Sequence, residues 1–117
     1  MQLPSLVSAP HGMAFIALHG DLIAGAVTVR FYPWNAADVL RLFVRAGYRR
    51  RGIALALLRQ AQACAHARGC ASLRALAMAG MSEGIATLRA AGFVEVEPFV
   101  EVPAAWEPVV FLRVPLM

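Results

Sequence analysis

The sequence predicts a mixed α/β fold: a central, mostly antiparallel sheet with one parallel β-α-β unit inside it. Three observations carry this. Apolar, partly β-branched runs at residues 13–19 and 22–32 flank a His19-Gly20-Asp21 turn, the pattern of an antiparallel hairpin. A run rich in Val, Leu and Phe at residues 38–44 is followed by helical periodicity over 51–68 and another apolar run over 71–78. That order suggests a parallel crossover. Gly and Pro mark most of the junctions.

Taken in order, residues 1–12 carry Pro4, Pro10 and Gly12 and read as an irregular lead-in. Pro33-Trp34-Asn35 ends the hairpin's second run. In the helix over 51–68, Ile53, Ala54, Leu57, Leu58, Ala61, Cys64 and Ala65 fall on one arc. Arg51, Arg59, Gln62 and His66 fall opposite, and Gly69 stands where a left-handed C-cap belongs. Ser82 is placed to cap a short helix over 83–91 that stops at Gly92. A strand over 93–97 ends at Pro98, residues 103–108 form a loop, and 109–114 form the last strand.

The chain's 117 residues suffice for one domain with a modest core. With 60% hydrophobic and 15% charged residues it is too apolar to be disordered, and no apolar run reaches the roughly 18 residues of a spanning helix. The start, Met1-Gln2-Leu3-Pro4-Ser5, has no basic segment leading into an apolar one, so no secretory signal is expected. Cys64 and Cys70 lack a CxxC spacing, and with three scattered histidines they do not make a metal site. Two reduced thiols in a cytoplasmic protein are the expectation. The net charge of +4 comes from arginine, because none of the 11 basic residues is lysine. Arg is the residue suited to bidentate phosphate and carboxylate contacts.

The arginines are densest at Arg49-Arg50-Arg51-Gly52-Ile53-Ala54, between the third predicted strand and the long helix. Small residues there let the backbone turn closely. The helix start presents unpaired N–H groups and the positive end of its dipole, which favour a phosphate. A solvated basic turn explains the same residues.

From residue 39 to 99 the chain resembles the core of the GNAT-type N-acetyltransferase superfamily. Leu40-Arg41-Leu42-Phe43-Val44-Arg45 is similar to that family's fourth strand, and Arg49-x-x-Gly52-x-Ala54 to its pyrophosphate loop. Gly92-Phe93 is similar to the Gly-Phe that opens its sixth strand. The resemblance implies an acetyl-CoA-dependent transfer to a primary amine of a small molecule or peptide, by direct attack on the thioester. It implies that Arg49, Arg50, Arg51, Gly52, Ile53 and Ala54 hold the pyrophosphate. It implies that backbone groups of Leu42, Phe43 and Val44 meet the pantetheine, one N–H polarising the thioester carbonyl. Asp38, near the start of the fourth strand where relatives often carry Glu, is the candidate general base; a solvated turn residue is the plain alternative.

Two departures stand out. Many members have a Tyr five residues before the Phe as general acid, and here that position is Leu88. The family's first strand and two following helices, which cover the acceptor site, are expected to be missing. A homodimer covering the exposed sheet is one consequence. A non-catalytic acyl-CoA-binding protein on the same fold is the alternative. Nucleic-acid binding is disfavoured, since the one arginine cluster is short and has no aromatic residues interleaved. His11, His19 and His66 form no constellation, Trp34 and Trp106 lie in loops, and Met13, Met78 and Met81 read as core fillers.

Overall fold

The computed structural model describes residues 5–9, 11–106 and 108–116. Residues 1–4, Pro10 and Glu107, on which parts of the expected lead-in, leader and loop rest, lie outside the described residues. Seven strands form one sheet in the order β1-β2-β3-β4-β5-β7-β6. They are β1 (Ser5–Ala9), β2 (Gly12–His19), β3 (Leu22–Tyr32), β4 (Ala36–Val44), β5 (Ser72–Met78), β6 (Val94–Glu95) and β7 (Val109–Pro115). Helix α1 (Ile53–Ala67) joins β4 to β5, and α2 (Ser82–Ala90) follows β5.

The expected hairpin is β2–β3, with Gly20 in the left-handed region at φ +62°. The expected crossover is β4-α1-β5, and β4–β5 is the parallel pair of the sheet, every other neighbouring pair being antiparallel. Gly69 ends α1 at φ +81°.

Several expectations are corrected. The lead-in is not wholly irregular: Ser5–Ala9 pairs with β2, so a strand expected to be missing occupies the sheet edge. Ala9 lies opposite Gly12 across a tight turn, which leaves no room for helices between β1 and β2. Met81, not Ser82, is the N-cap of α2, and no side chain caps it, because Ser82 is already helical. The strand before Pro98 is only Val94–Glu95, paired with Arg113 and Leu112. Gln62, expected opposite the buried arc, is half-buried; its Nε2 donates to the Ala91 carbonyl at 2.8 Å and ties α1 to the end of α2.

The core lies between the two helices and one face of the sheet. Ile53, Leu57, Leu58, Ala61 and Ala65 of α1 are buried together with Leu88 and Ala91, over Val27, Val29, Leu73 and Leu112. Burying a side chain such as Leu57 or Leu58 stabilises the fold by roughly 1.5–3 kcal/mol. Gly25 permits this packing. A Cβ there would meet the Phe43 carbonyl oxygen at 2.9 Å and the side chains of Ile53 and Leu57 at 3.3 Å. Ala54 and Cys64, expected on the buried arc, are only half-buried. The opposite sheet face carries no helix among the described residues.

Candidate active site

The site grows from what happens after β4 and β5 pair. Their parallel ladder holds only at Ala36–Ser72, Ala37–Leu73 and Asp38–Arg74. Beyond it the strands part. Residues 39–44 and 75–78 face one another across a gap with no partner on those edges. Leu40 is an extra residue between Val39 and Arg41 in the register with β3, a bulge that bends β4 where the gap opens. Such a gap leaves backbone N–H and C=O groups unpaired, and they need a partner from outside the sheet.

β4 then runs into a loop strapped to the end of the β2–β3 hairpin. The Arg45 amide donates to the Ala24 carbonyl at 2.8 Å and its Nε to the Ile23 carbonyl at 3.1 Å. Residues 46–48 make one 3-10 turn, and the Tyr48 hydroxyl meets His19 Nδ1 at 2.6 Å. His19, which the sequence places in no constellation, is therefore tied to this loop. Arg50 adopts φ +64° and Gly52 φ +79°. For Arg50 that conformation costs about 1–2 kcal/mol, so the rest of the loop must hold it.

Gly52 is the N-cap of α1, and its residue type supplies no side chain to bond the helix's first amides; the first turn has no acidic residue either. The amides of Ile53, Ala54 and Leu55 have no intrahelical acceptor. They point, with the dipole, at whatever lies beyond the helix start. What lies there is a cavity of about 760 Å³ between the end of β4, the start of α1 and one side of α2.

Leu42, Phe43, Val44, Arg49, Arg50, Gly52, Ile53 and Ala54 all line this cavity. Arg51 does not; its guanidinium sits 5.3 Å from the centroid of the Tyr48 ring, while Tyr48 itself lines the cavity. The far wall was not read from the sequence. It is formed by Gly80, Met81, Ser82, Glu83, Thr87 and Ala90 of α2 and its approach. Met81 is 55% exposed at this wall, not a core filler. The only signal for the wall is the helix start read at Ser82-Glu83-Gly84. Arg50 and Glu83 face each other across the mouth at 3.5 Å, both well exposed. Leu88, on the position where a general acid was sought, points away from the cavity into the core.

Asp38 does not line the cavity. Its carboxylate takes a bidentate pair from Arg74, Nε to Oδ1 at 2.7 Å and Nη2 to Oδ2 at 3.1 Å, at the last rung before the strands part. Arg74 also lies 4.2 Å from the centroid of the Phe99 ring. Burial, then the neighbouring Asp38 carboxylate, push the Tyr32 hydroxyl above its ordinary value, against the pull of Arg30 and Arg74. Among the described residues no cluster of His, Cys, Asp or Glu could hold a metal ion, and no helix is long and apolar enough to cross a membrane.

The sequence profile described as the Acetyltransferase (GNAT) family matches residues 2–93. No curated protein matches the chain. Among solved structures, the ribosomal-protein-S18-alanine N-acetyltransferase from Escherichia coli superposes with a TM-score of 0.78 at 20% identity, over 93% of this chain and 72% of its own. The IAA acetyltransferase from Bacillus cereus superposes with a TM-score of 0.77 at 17% identity, over 90% of this chain and 78% of its own. An acetyltransferase from Bacillus subtilis, solved in complex with CoA, gives 0.76 at 16% identity, over 92% and 78%. At these identities the structures establish the fold, and the family match establishes the chemistry. The chain belongs to the GNAT acetyltransferase family, and its reaction class is acyl transfer.

Proposed function

We propose that this protein transfers an acetyl group from acetyl-CoA to a primary amine, by direct attack of the amine on the thioester. The observation that supports this best is the continuity of one cavity. It runs from the uncapped start of α1, with Arg49 and Arg50 beside it, to the edge of β4 at Leu42, Phe43 and Val44 where β5 has left.

In this reading the amides of the loop and of Ile53 and Ala54 bind the pyrophosphate, with Arg49 and Arg50 adding charge-assisted bonds. Arg49 is partly held already, since its Nε donates to the Val44 carbonyl at 3.1 Å. The unpaired edge at residues 42–44 takes the pantetheine as a strand-like partner. One N–H of that edge stabilises the charge developing on the thioester oxygen. Acetyl-CoA supplies the activated acyl group. A thiol with a pKa of about 8.5 departs as thiolate without an acid, so Leu88 at the usual acid position slows the reaction without forbidding it. Asp38 serves as base only through intervening water, because both its oxygens are engaged by Arg74. The free thiols of Cys64 and Cys70 suit a reducing compartment such as the cytoplasm.

The burial of Leu88 favours one competing reading, an acyl-CoA-binding protein that does not turn over. Thermal shift with coenzyme A and thiol release with a panel of amines separate the two. At a hundredfold excess over Kd, binding stabilises the fold by about 2.7 kcal/mol. Stabilisation with thiol release on at least one amine is expected. Stabilisation without release on any amine favours the binder, and no stabilisation refutes both.

A further inference from the structure

The helix-free face of the sheet carries a row of charge that folding does not explain. Arg30 of β3 lies opposite Asp38 of β4, Asp38 beside Arg74 of β5, and Arg74 opposite Arg113 of β7. These four residues form one line across four neighbouring strands, and directly opposed partners in a sheet share a face. Arg41, opposite Thr28, falls on the same face one step nearer the gap. The helix side is excluded for all of them, because the alternating positions Val29, Ala37, Leu73 and Leu112 are the buried ones.

The line reads plus, minus, plus, plus. Asp38 is consumed by Arg74. Among the described residues Arg30, Arg41 and Arg113 form no ion pair and all three are exposed. Arg74 opposite Arg113 is moreover a like-charge pair, which costs stability in a sheet. Glu97 and Glu101, on the segment leading to β7, make no ion pair with the row. Asp38 and the Phe99 ring compensate Arg74, and Arg30 lies 5.1 Å from the Tyr32 ring centroid, but the charges of Arg30, Arg41 and Arg113 meet no carboxylate among the described residues and are left for a partner outside the fold.

The position of the row supplies the identity of that partner. It lies at the rung where β4 and β5 part, on the side away from the α1–α2 cavity. If the thioester is held from the cavity side, the amine must arrive from this face. We propose that the acceptor is an acidic peptide whose carboxylates dock on Arg30, Arg41 and Arg113 while its N-terminal amine enters the gap between β4 and β5. This rests on the proposed acetyl transfer to an amine and narrows it. Three strand spacings make the row about 14 Å long, the reach of roughly four residues of extended chain. Phe99 covers this face at Arg74 and Phe111, and around Arg30, Arg41 and Arg113 the side chains stay exposed, without the enclosure that a small ligand needs. Of the polyanions that could lie there, a peptide brings a basic, nucleophilic amine, whereas the exocyclic amines of nucleic-acid bases are poor nucleophiles.

The test compares Ser-Asp-Glu-Asp, Ser-Asn-Gln-Asn and Ser-Lys-Arg-Lys peptide amides as acceptors, with free glutamate and an oligonucleotide as further probes. The expected kcat/KM for the acidic peptide exceeds that for the neutral one by about tenfold or more at low salt, and the advantage shrinks as salt is raised. The double variant Arg30→Glu/Arg113→Glu abolishes the preference without changing the affinity for acetyl-CoA. Arg59→Glu, on the exposed side of α1, keeps it. Equal turnover of the three peptides, or better turnover of glutamate, overturns the proposal while leaving acetyl transfer standing. Oligonucleotide binding that blocks the acidic peptide, or a dimer in sedimentation that Arg113→Glu dissociates, gives the face to another occupant and overturns it too. Failure of acetyl-CoA to stabilise the fold removes the underlying reading instead, and with it this one.

Discussion

The two faces of the sheet are built on different principles. The helix side is closed: α1 and α2 cover it, its core positions are buried, and a cavity there runs from the start of α1 to the end of β4 and one side of α2. The helix-free side has no helix over it among the described residues and is written largely in side chains, with Leu40 and Leu76 exposed among the arginines. A backbone-framed cavity suits a ligand that does not vary. A surface of exposed side chains can change its specificity without disturbing the fold. In the proposed function, the cofactor side is therefore bound to the protein's stability, and the acceptor side is nearly free of it.

Substitutions can break that contrast. The largest effect is expected on the closed side: Leu57→Ala, at a position with no exposure, should cost about 2–5 kcal/mol in denaturant unfolding. On the helix-free side Leu40→Ala, at 57% exposure, should change stability by no more than about 0.5 kcal/mol. Comparable losses at the two sites would erase the distinction.

The fork between the faces should respond in between. Arg74→Ala strands a half-buried carboxylate and is expected to cost about 2 kcal/mol. In a double-mutant cycle with Asp38→Asn most of that cost should disappear. If Asp38→Asn alone lowers kcat and shifts its pH profile while stability holds, Asp38 is the base rather than the anchor of the fork.

Alkaline pH should then loosen the closed side modestly. Burial, with a smaller push from Cys64 and an opposing pull from Arg68, raises the Cys70 thiol above its ordinary value of 9.0. In the unfolded chain the thiol ionises first, so the stability it contributes is complete below pH 9 and is lost as the pH rises through the folded value. Melting temperature should fall above pH 9, and Cys70→Ala should flatten that fall. The smallest effect belongs to the exposed pair at the cavity mouth: Glu83→Gln should change stability by about 0.5 kcal/mol at most in denaturant unfolding.

The closed side was also the legible one. The hairpin, the crossover and the arc of α1 all follow from local periodicity and turn residues, and the structure has each of them. Ser5–Ala9 escaped because five small and apolar residues between two prolines give too short an alternation to read. Pro98 suggested a strand running to Glu97, but only Val94 and Glu95 pair, so β6 ends before it. The α2 wall of the cavity left almost no trace, since small residues at a helix start look alike whether they pack or bind. The fork and its arginine row were beyond reach. Asp38 and Arg74 stand 36 residues apart, and the alignment of Arg30, Asp38, Arg74 and Arg113 exists only once four strands have taken their register.

Titration of coenzyme A into the intact protein and into Gly52→Asp tests the central assignment most directly. A Cβ at Gly52 meets nothing within 4 Å, so the fold should survive with only the modest strain of a left-handed residue, which Asp tolerates better than most. The new carboxylate would face the pyrophosphate at the helix start. The expected result is saturable binding to the native chain, weakened by about 100-fold or more in the variant, equivalent to at least about 2.8 kcal/mol. Equal affinity in the two folded proteins would contradict a pyrophosphate site at the start of α1.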